Sequence, residues 1–244
     1  MANHVLLNNI AHKNIRVITD RSERYGDDVM FAITFPLEFR SVQADYPIFF
    51  HKNNQTGKFH AIALFGFKDK ENLFLTEKGW DAGYIPLTIT RQPFLIGLQQ
   101  YQEDGVTKKQ RVIHLDMDNP RVNETAGQVL FLEYGGNTPY LEHMVSVLEA
   151  IHNGYEDNEN FIAKLQQFDL LESFLLDVKL HDGSGSQMQG FYTINEDKLA
   201  ALSGDALANL NSHGYLQAIY MVIASHANIR TLVNKKNERL QAGR

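Results

Sequence analysis

No cysteine occurs anywhere in the chain. That excludes disulfides, thiolate metal sites and a cysteine nucleophile together. A basic excess is missing as well: 23 Lys and Arg face 29 Asp and Glu, for a net charge of −6. A protein that binds a phosphate backbone needs cations gathered on one face. The nearest approach is Arg230, Lys235, Lys236, Arg239 and Arg244, where cations complement a helix C-terminus. No nucleic-acid partner is expected. Long apolar runs are also absent. Tyr215 to Ala224 is the longest and reaches about half of the ~20 residues a spanning helix requires, so membrane insertion is not expected. The N-terminal stretch has no charged start followed by an apolar run, which makes cytoplasmic the expected location.

Catalytic signatures are scarce. There is no Gly-x-Ser-x-Gly elbow and no His-Glu-x-x-His pair. Asp182-Gly183-Ser184-Gly185-Ser186 lacks the Gly-Lys-Ser/Thr ending of a phosphate loop and reads as a hairpin turn.

What is present is an ordinary globular composition, 43% hydrophobic and 21% charged. The expectation is an α+β chain forming a single domain, 1–244. Its first part, 1–135, reads as β-rich with a mainly antiparallel sheet. The remainder, 136–244, reads as helix-rich with one late β-hairpin, and the two share one core. Short edge strands are predicted at 4–7 and 15–18, and a short helix over 35–44 with Pro36 in its first turn. Residues 46–52 and 58–67 form a hairpin whose second strand is apolar on both faces, hence central. A loop at 53–57 sets His51 opposite Phe59 and His60 opposite Phe50, so the two imidazoles point to opposite faces.

Residues 73–75 read as a short strand, and 94–99 and 111–117 as a strand pair joined by a polar linker. Thr138 and Pro139 open a helix running to Ile151, and Asp157 opens a second. A hairpin follows over 171–181 and 190–194, then a helix capped by Asn195 with a break at Gly204. Residues 215–233, apolar on nearly every side, read as a buried C-terminal helix.

Two constellations carry candidate chemistry. Trp80 and Tyr84 lie among Gly79, Gly83 and Pro86, with Arg91 close in sequence. They suit the wall of a peptide-binding groove, Trp80 as anchor and Arg91 as anion contact; the structural alternative is an aromatic anchor pinning an irregular segment to the sheet. His114 and Asp116 sit two apart on a strand and share a side, as two of the three ligands of a facial iron site would. His143, His181 or His213 could supply the third. The same alternation also describes the wet face of a half-buried strand.

The order Asp45-Tyr46-Pro47, Leu64-x-Gly66 and Glu71-Asn72-Leu73-Phe74 continues with Gly79-Trp80, Tyr84-Ile85-Pro86 and Pro93-Phe94. Gly135-Gly136, Leu170-Leu171, Gly190-Phe191-Tyr192 and Lys198-Leu199-x-x-Leu202 come after them. Together these resemble the SapC family of bacterial proteins, with one departure: Thr90 precedes Arg91 where a basic pair is expected. The resemblance implies an association with surface-layer proteins and gene neighbourhoods holding TonB-dependent receptors; it transfers no catalytic residue. The resulting expectation is a non-catalytic accessory protein that engages a protein or peptide partner and needs no cofactor. The alternative is a peptide hydroxylase using Fe(II) and 2-oxoglutarate at His114 and Asp116; a peptidase comes third. Oligomeric state is open at this point.

Overall fold

The structure, a computed structural model, describes residues 3–103 and 105–243; the side chain of Ser186 lies outside it. Of the sequence features above, Arg244 in the basic cluster and the first two residues of the N-terminal stretch also fall outside. So does Asp104 in the polar linker. The fold is α+β with antiparallel sheets.

Strands β1 (His4–Leu6), β2 (Arg16–Val17) and β3 (Phe31–Ile33) are short. A 3-10 turn over Pro36–Glu38 leads into α1 (Phe39–Asp45), where proline presets the entry angle and gives up no needed donor. Next come β4 (Ile48–Lys52), β5 (Phe59–Leu64), β6 (Leu75–Thr76), β7 (Gly79–Trp80) and α2 (Leu87–Thr90). They are followed by β8 (Phe94–Glu103), β9 (Val106–Asp116), β10 (Val122–Asn123) and β11 (Gln128–Val129). The remainder is α3 (Pro139–Gln167), β12 (Leu171–Lys179), β13 (Gly185–Ile194), α4 (Glu196–Ala200), α5 (Gly204–Ser212), α6 (Tyr215–Ser225) and α7 (Asn228–Gln241).

The chain forms two compact units, each built from two separate stretches: Met1–Gly26 with Leu87–His152, and Asp27–Pro86 with Asn153–Arg244. The first contains the sheet β1-β9-β8 and the small sheet β10-β2-β11. Arg121 is buried in it, donating to the carbonyls of Ile18 (3.1 Å) and Asp20 (2.6 Å) with its guanidinium 5.2 Å from the ring of Tyr25. Planar and always charged, arginine suits such a site because it can meet several carbonyls at once. Burial pushes the Tyr140 hydroxyl up to about 12. The hairpin of β8 and β9 is longer than the sequence indicates. Most of the expected polar linker is strand, with β8 reaching Glu103, β9 starting at Val106, and pairing unbroken from Phe94↔Leu115 to Glu103↔Val106.

In the second unit the sheet order is β12-β13-β4-β5-β3, so β5 lies inside the sheet as its two apolar faces require. Phe49, Phe50, Ile62 and Phe65 are fully buried, each contributing about 1.5–3 kcal/mol of transfer free energy. The hairpin register departs from expectation. His51 pairs directly with His60, not with Phe59, because Lys58 belongs to the turn and lengthens it by one residue. The two imidazoles therefore share a face.

Two helix boundaries also differ. α3 runs unbroken from Pro139 to Gln167, so Asp157 opens no second helix. Gly154 remains inside it because a Cβ there would lie 2.6 Å from the ring of Phe35. Thr138 caps the start, its Oγ1 accepting from the Leu141 N–H. The predicted C-terminal helix is two helices. Ser225 Oγ accepts from the Ile48 N–H at 2.8 Å, and His226 Nε2 lies 3.2 Å from the Ile48 carbonyl; these bonds tie the break to the start of β4. α6 buries one face only, leaving Tyr220 55% exposed, and α7 buries just Leu232 and Asn237.

Candidate functional site

The segment between β5 and β7 has little regular structure, and side chains hold it. At Gly66 a Cβ would meet the Glu71 carbonyl oxygen at 2.3 Å, so only glycine allows the turn. Glu71 accepts from the Phe67 N–H at 2.8 Å and pairs with Lys236 at 2.6 Å in a largely buried ion pair. Asn72 accepts from the Phe74 N–H and donates to the Asp27 carbonyl, both at 2.9 Å. Arg239 donates to the carbonyls of Asn72 and Leu75. Two of the cations read from the sequence as dipole partners, Lys236 and Arg239, thus have a more specific role, in which α7 clamps the 71–75 turn.

Tyr46 lies at the centre of a hydrogen-bonded network. Its ring is fully buried against Phe74 (4.7 Å) and Phe65 (5.1 Å), both edge-on. Its hydroxyl accepts from Trp80 Nε1 at 2.7 Å and donates to the Tyr84 carbonyl. Tyr84 in turn donates its hydroxyl to Glu38 at 2.9 Å and its N–H to Asp45 at 3.1 Å. Burial raises both phenols well above the ordinary tyrosine value. The Trp80 bond opposes this at Tyr46, and Glu38 adds to it at Tyr84. Tyr46 therefore keeps the proton it donates to Tyr84.

Beside this network lies a cleft of about 490 Å³ lined by Asp45, Phe74, Trp80, Asp81, Thr231 and Lys235. The Trp80 indole is half-buried, edge-on to Phe65 at 5.2 Å. Lys235 lies over the Phe74 ring at 5.2 Å and bonds Asp81 at 2.6 Å, which holds the Asp81 carboxyl below its usual range. With side-chain exposures of 61% for Asp81 and 22% for Lys235, this pair opens at little cost. The arrangement offers an apolar wall, a cation and two carboxylates along an open trough.

Trp80 and Tyr84, singled out in the sequence, are brought together by one hydroxyl. In the structure they act as anchors of an irregular segment, and Trp80 also faces the cleft. Arg91 belongs to the other compact unit, where it follows α2 and donates to the Phe94 carbonyl at 2.8 Å. His114 and Asp116 lie on β9 opposite Leu6 and His4. The His114 imidazole lies over Gly97, where a Cβ would be 2.6 Å from Nε2, and Asp116 accepts from the Asp118 N–H at 3.2 Å. Among the described residues no group of three His, Asp or Glu side chains is placed to hold a metal ion. His143, His181 and His213 are exposed and do not complete one.

For a nucleophile, Ser212 Oγ lies 3.2 Å from His213 Nδ1, but that nitrogen is also 2.8 Å from the Asn209 carbonyl. Ser225 is fully buried, with its hydroxyl donated to the Val222 carbonyl.

Sequence reasoning passes over Asp45, Tyr46, Asp81 and Lys235 as site residues. The signal for the first two is the Asp-Tyr-Pro triplet, where a proline after two polar-tipped residues fixes their direction. Lys235 carries no local signal, since its partner Asp81 is distant in the chain.

A family model, SapC, matches residues 7–232. No curated protein and no solved structure matches the chain. No helix among the described residues is long and apolar enough to cross a membrane. The matched span contains the whole Tyr46–Trp80–Tyr84 network and the 71–75 turn, and on it the chain belongs to the SapC family.

Proposed function

We propose that the chain is a non-catalytic accessory protein that holds an extended peptide segment of a protein partner in the Trp80 cleft. The partner class implied by the family resemblance is a bacterial surface-layer or TonB-dependent receptor protein. The observation that carries this reading is the state of Trp80. Its N–H is already engaged by Tyr46, so what it presents to the cleft is an apolar ring on a pre-organised backbone. Rigid aromatic anchors of this kind supply contact area at small entropic cost. Lys235 takes an anionic group of the peptide by exchanging it for Asp81, a role the sequence suggested for Arg91.

Trp80 is the sole tryptophan, so its emission reports directly on the cleft. Titration with an array of extended peptides should shift that emission for the peptides that bind. Lys235→Ala should weaken the acidic ones roughly tenfold, as loss of one charged contact does. Peptides captured without any change in Trp80 emission, and equally well by Lys235→Ala, would place the binding surface elsewhere.

A further inference from the structure

We infer that the Trp80 cleft, granted the peptide-holding role proposed above, selects an arginine of the peptide: the side chain lies against the indole and its guanidinium meets the Asp45 carboxylate.

Asp45 is the charged group of the cleft lining that has no counter-charge. Its Oδ2 accepts from the Tyr84 N–H at 3.1 Å, and among the described residues its Oδ1 has no partner. It is half-buried and closes α1, where the terminal carbonyls already make the potential negative. Lys235, the one cation on the lining among the described residues, is bound to Asp81 at 2.6 Å. Asp45 and Asp81 against Lys235 leave the cleft one net negative charge.

The aromatic walls are uneven in the same sense. Lys235 already lies over Phe74 at 5.2 Å, while no cation of the described residues lies over Trp80, the ring type that holds one best. The side-chain oxygens left open beside it can accept. Asn228 gives its amide N–H to the Gln43 carbonyl at 2.7 Å, which leaves Oδ1 free, and the Thr231 hydroxyl has no partner among the described residues. A guanidinium is planar, stacks on an indole and carries five N–H donors, so it can serve several acceptors at once; an ammonium cannot stack. The lining also favours a peptide over free arginine. Trp80 and Asp81 border a second hollow of about 400 Å³, shared with Thr76, Glu77 and Lys78, where the residues flanking the arginine can lie.

Titration of Trp80 emission with a blocked alanine pentapeptide, its central residue arginine, citrulline or lysine, tests this. The arginine peptide should bind roughly tenfold or more tightly than the citrulline peptide, which has the same shape without the charge, with lysine between them. Asp45→Asn keeps an acceptor for the Tyr84 N–H, so the melting temperature should stay near that of wild type. It should bring the arginine and citrulline peptides to the same affinity. Lys235→Ala removes the competing cation and should strengthen the arginine peptide, the opposite of its effect on acidic ones. Should Asp45→Asn fail to fold, the citrulline comparison in wild type decides alone. Peptides that move Trp80 emission with no preference for arginine overturn the inference and leave the cleft reading standing. An arginine preference that Asp45→Asn retains overturns it too, and so does blocked arginine by itself binding as tightly as the pentapeptide. If no peptide moves the emission, the cleft reading falls and this inference with it.

Discussion

The indole N–H of Trp80 donates to the hydroxyl of Tyr46 across 2.7 Å, and the same hydroxyl donates its own proton to the Tyr84 carbonyl. One phenol oxygen thus fixes both the wall of the cleft and the backbone four residues further on. Side-chain bonds do here what ladder bonds do in a sheet, which is why an irregular segment can present a rigid aromatic surface.

The consequence is measurable. Tyr46→Phe keeps the ring and its edge contacts with Phe65 and Phe74 but leaves the Trp80 N–H and the Tyr84 carbonyl without their partner. Such orphaned groups cost about 1–3 kcal/mol each when buried; with Trp80 half-buried we expect a total of about 2–3 kcal/mol. Urea unfolding followed by Trp80 emission gives the number. It also gives a second sign, a red-shifted native emission as the indole reaches water. A loss below the error of the method would mean that water replaces the hydroxyl and that the network does not hold the cleft.

Acid should destabilise the second unit before its carboxylates titrate. Burial holds His226 below its ordinary value of 6.5, against the opposing pull of the Ile48 carbonyl and Glu196. His60 is lowered too, by burial first and then by Lys58 and by His51 across the strand pair. A group whose folded pKa is depressed leaves stability intact above its unfolded value and removes it as pH falls through the folded one. Stability should therefore be level above about pH 6.5 and decline below it. His226→Phe preserves stacking on Phe49, now 4.9 Å between centroids, and should flatten that decline while lowering stability at neutral pH. Denaturant unfolding at successive pH values checks both. An unchanged slope in the variant would assign the acid sensitivity to other groups.

Several of these residues illustrate what the chain discloses by itself. Thr138-Pro139 marks a helix start because cap and first-turn chemistry are local, and the α+β class rests on patterns equally short in range. The β4–β5 register differs by one from expectation because turn length is a matter of geometry, and nothing local says that Lys58 is part of the turn. The helix break expected before Asp157 does not occur, since Gly154 is kept for its closeness to Phe35, a contact with no periodicity. The outer half of β8 and β9 is invisible in the sequence for a different reason. Alternation signals one buried face, and that arm has none. The network round Tyr46 joins residues 34 and 38 apart, and Lys235 lies further still. Those pairings are products of the fold.

The iron reading makes the last prediction. His114 and Asp116 do share a side of β9, as their spacing requires. Each is nevertheless structurally engaged, since the imidazole covers the gap at Gly97 and the carboxylate closes the turn at Asp118. With no third ligand among the described residues, two donors remain, one short of a facial triad. Thermal unfolding of metal-stripped protein under anaerobic conditions should give the same midpoint with and without Fe(II) and 2-oxoglutarate, and Asp116→Ala should behave likewise. A ligand at a hundredfold excess over its dissociation constant would add about 2.7 kcal/mol, a shift too large to overlook. Gly97→Ala should instead destabilise the protein in every condition, because the new methyl displaces His114 from its place. A metal-induced shift in the wild type that Asp116→Ala abolishes would make His114 and Asp116 ligands after all, and would move the hydroxylase ahead of the accessory role.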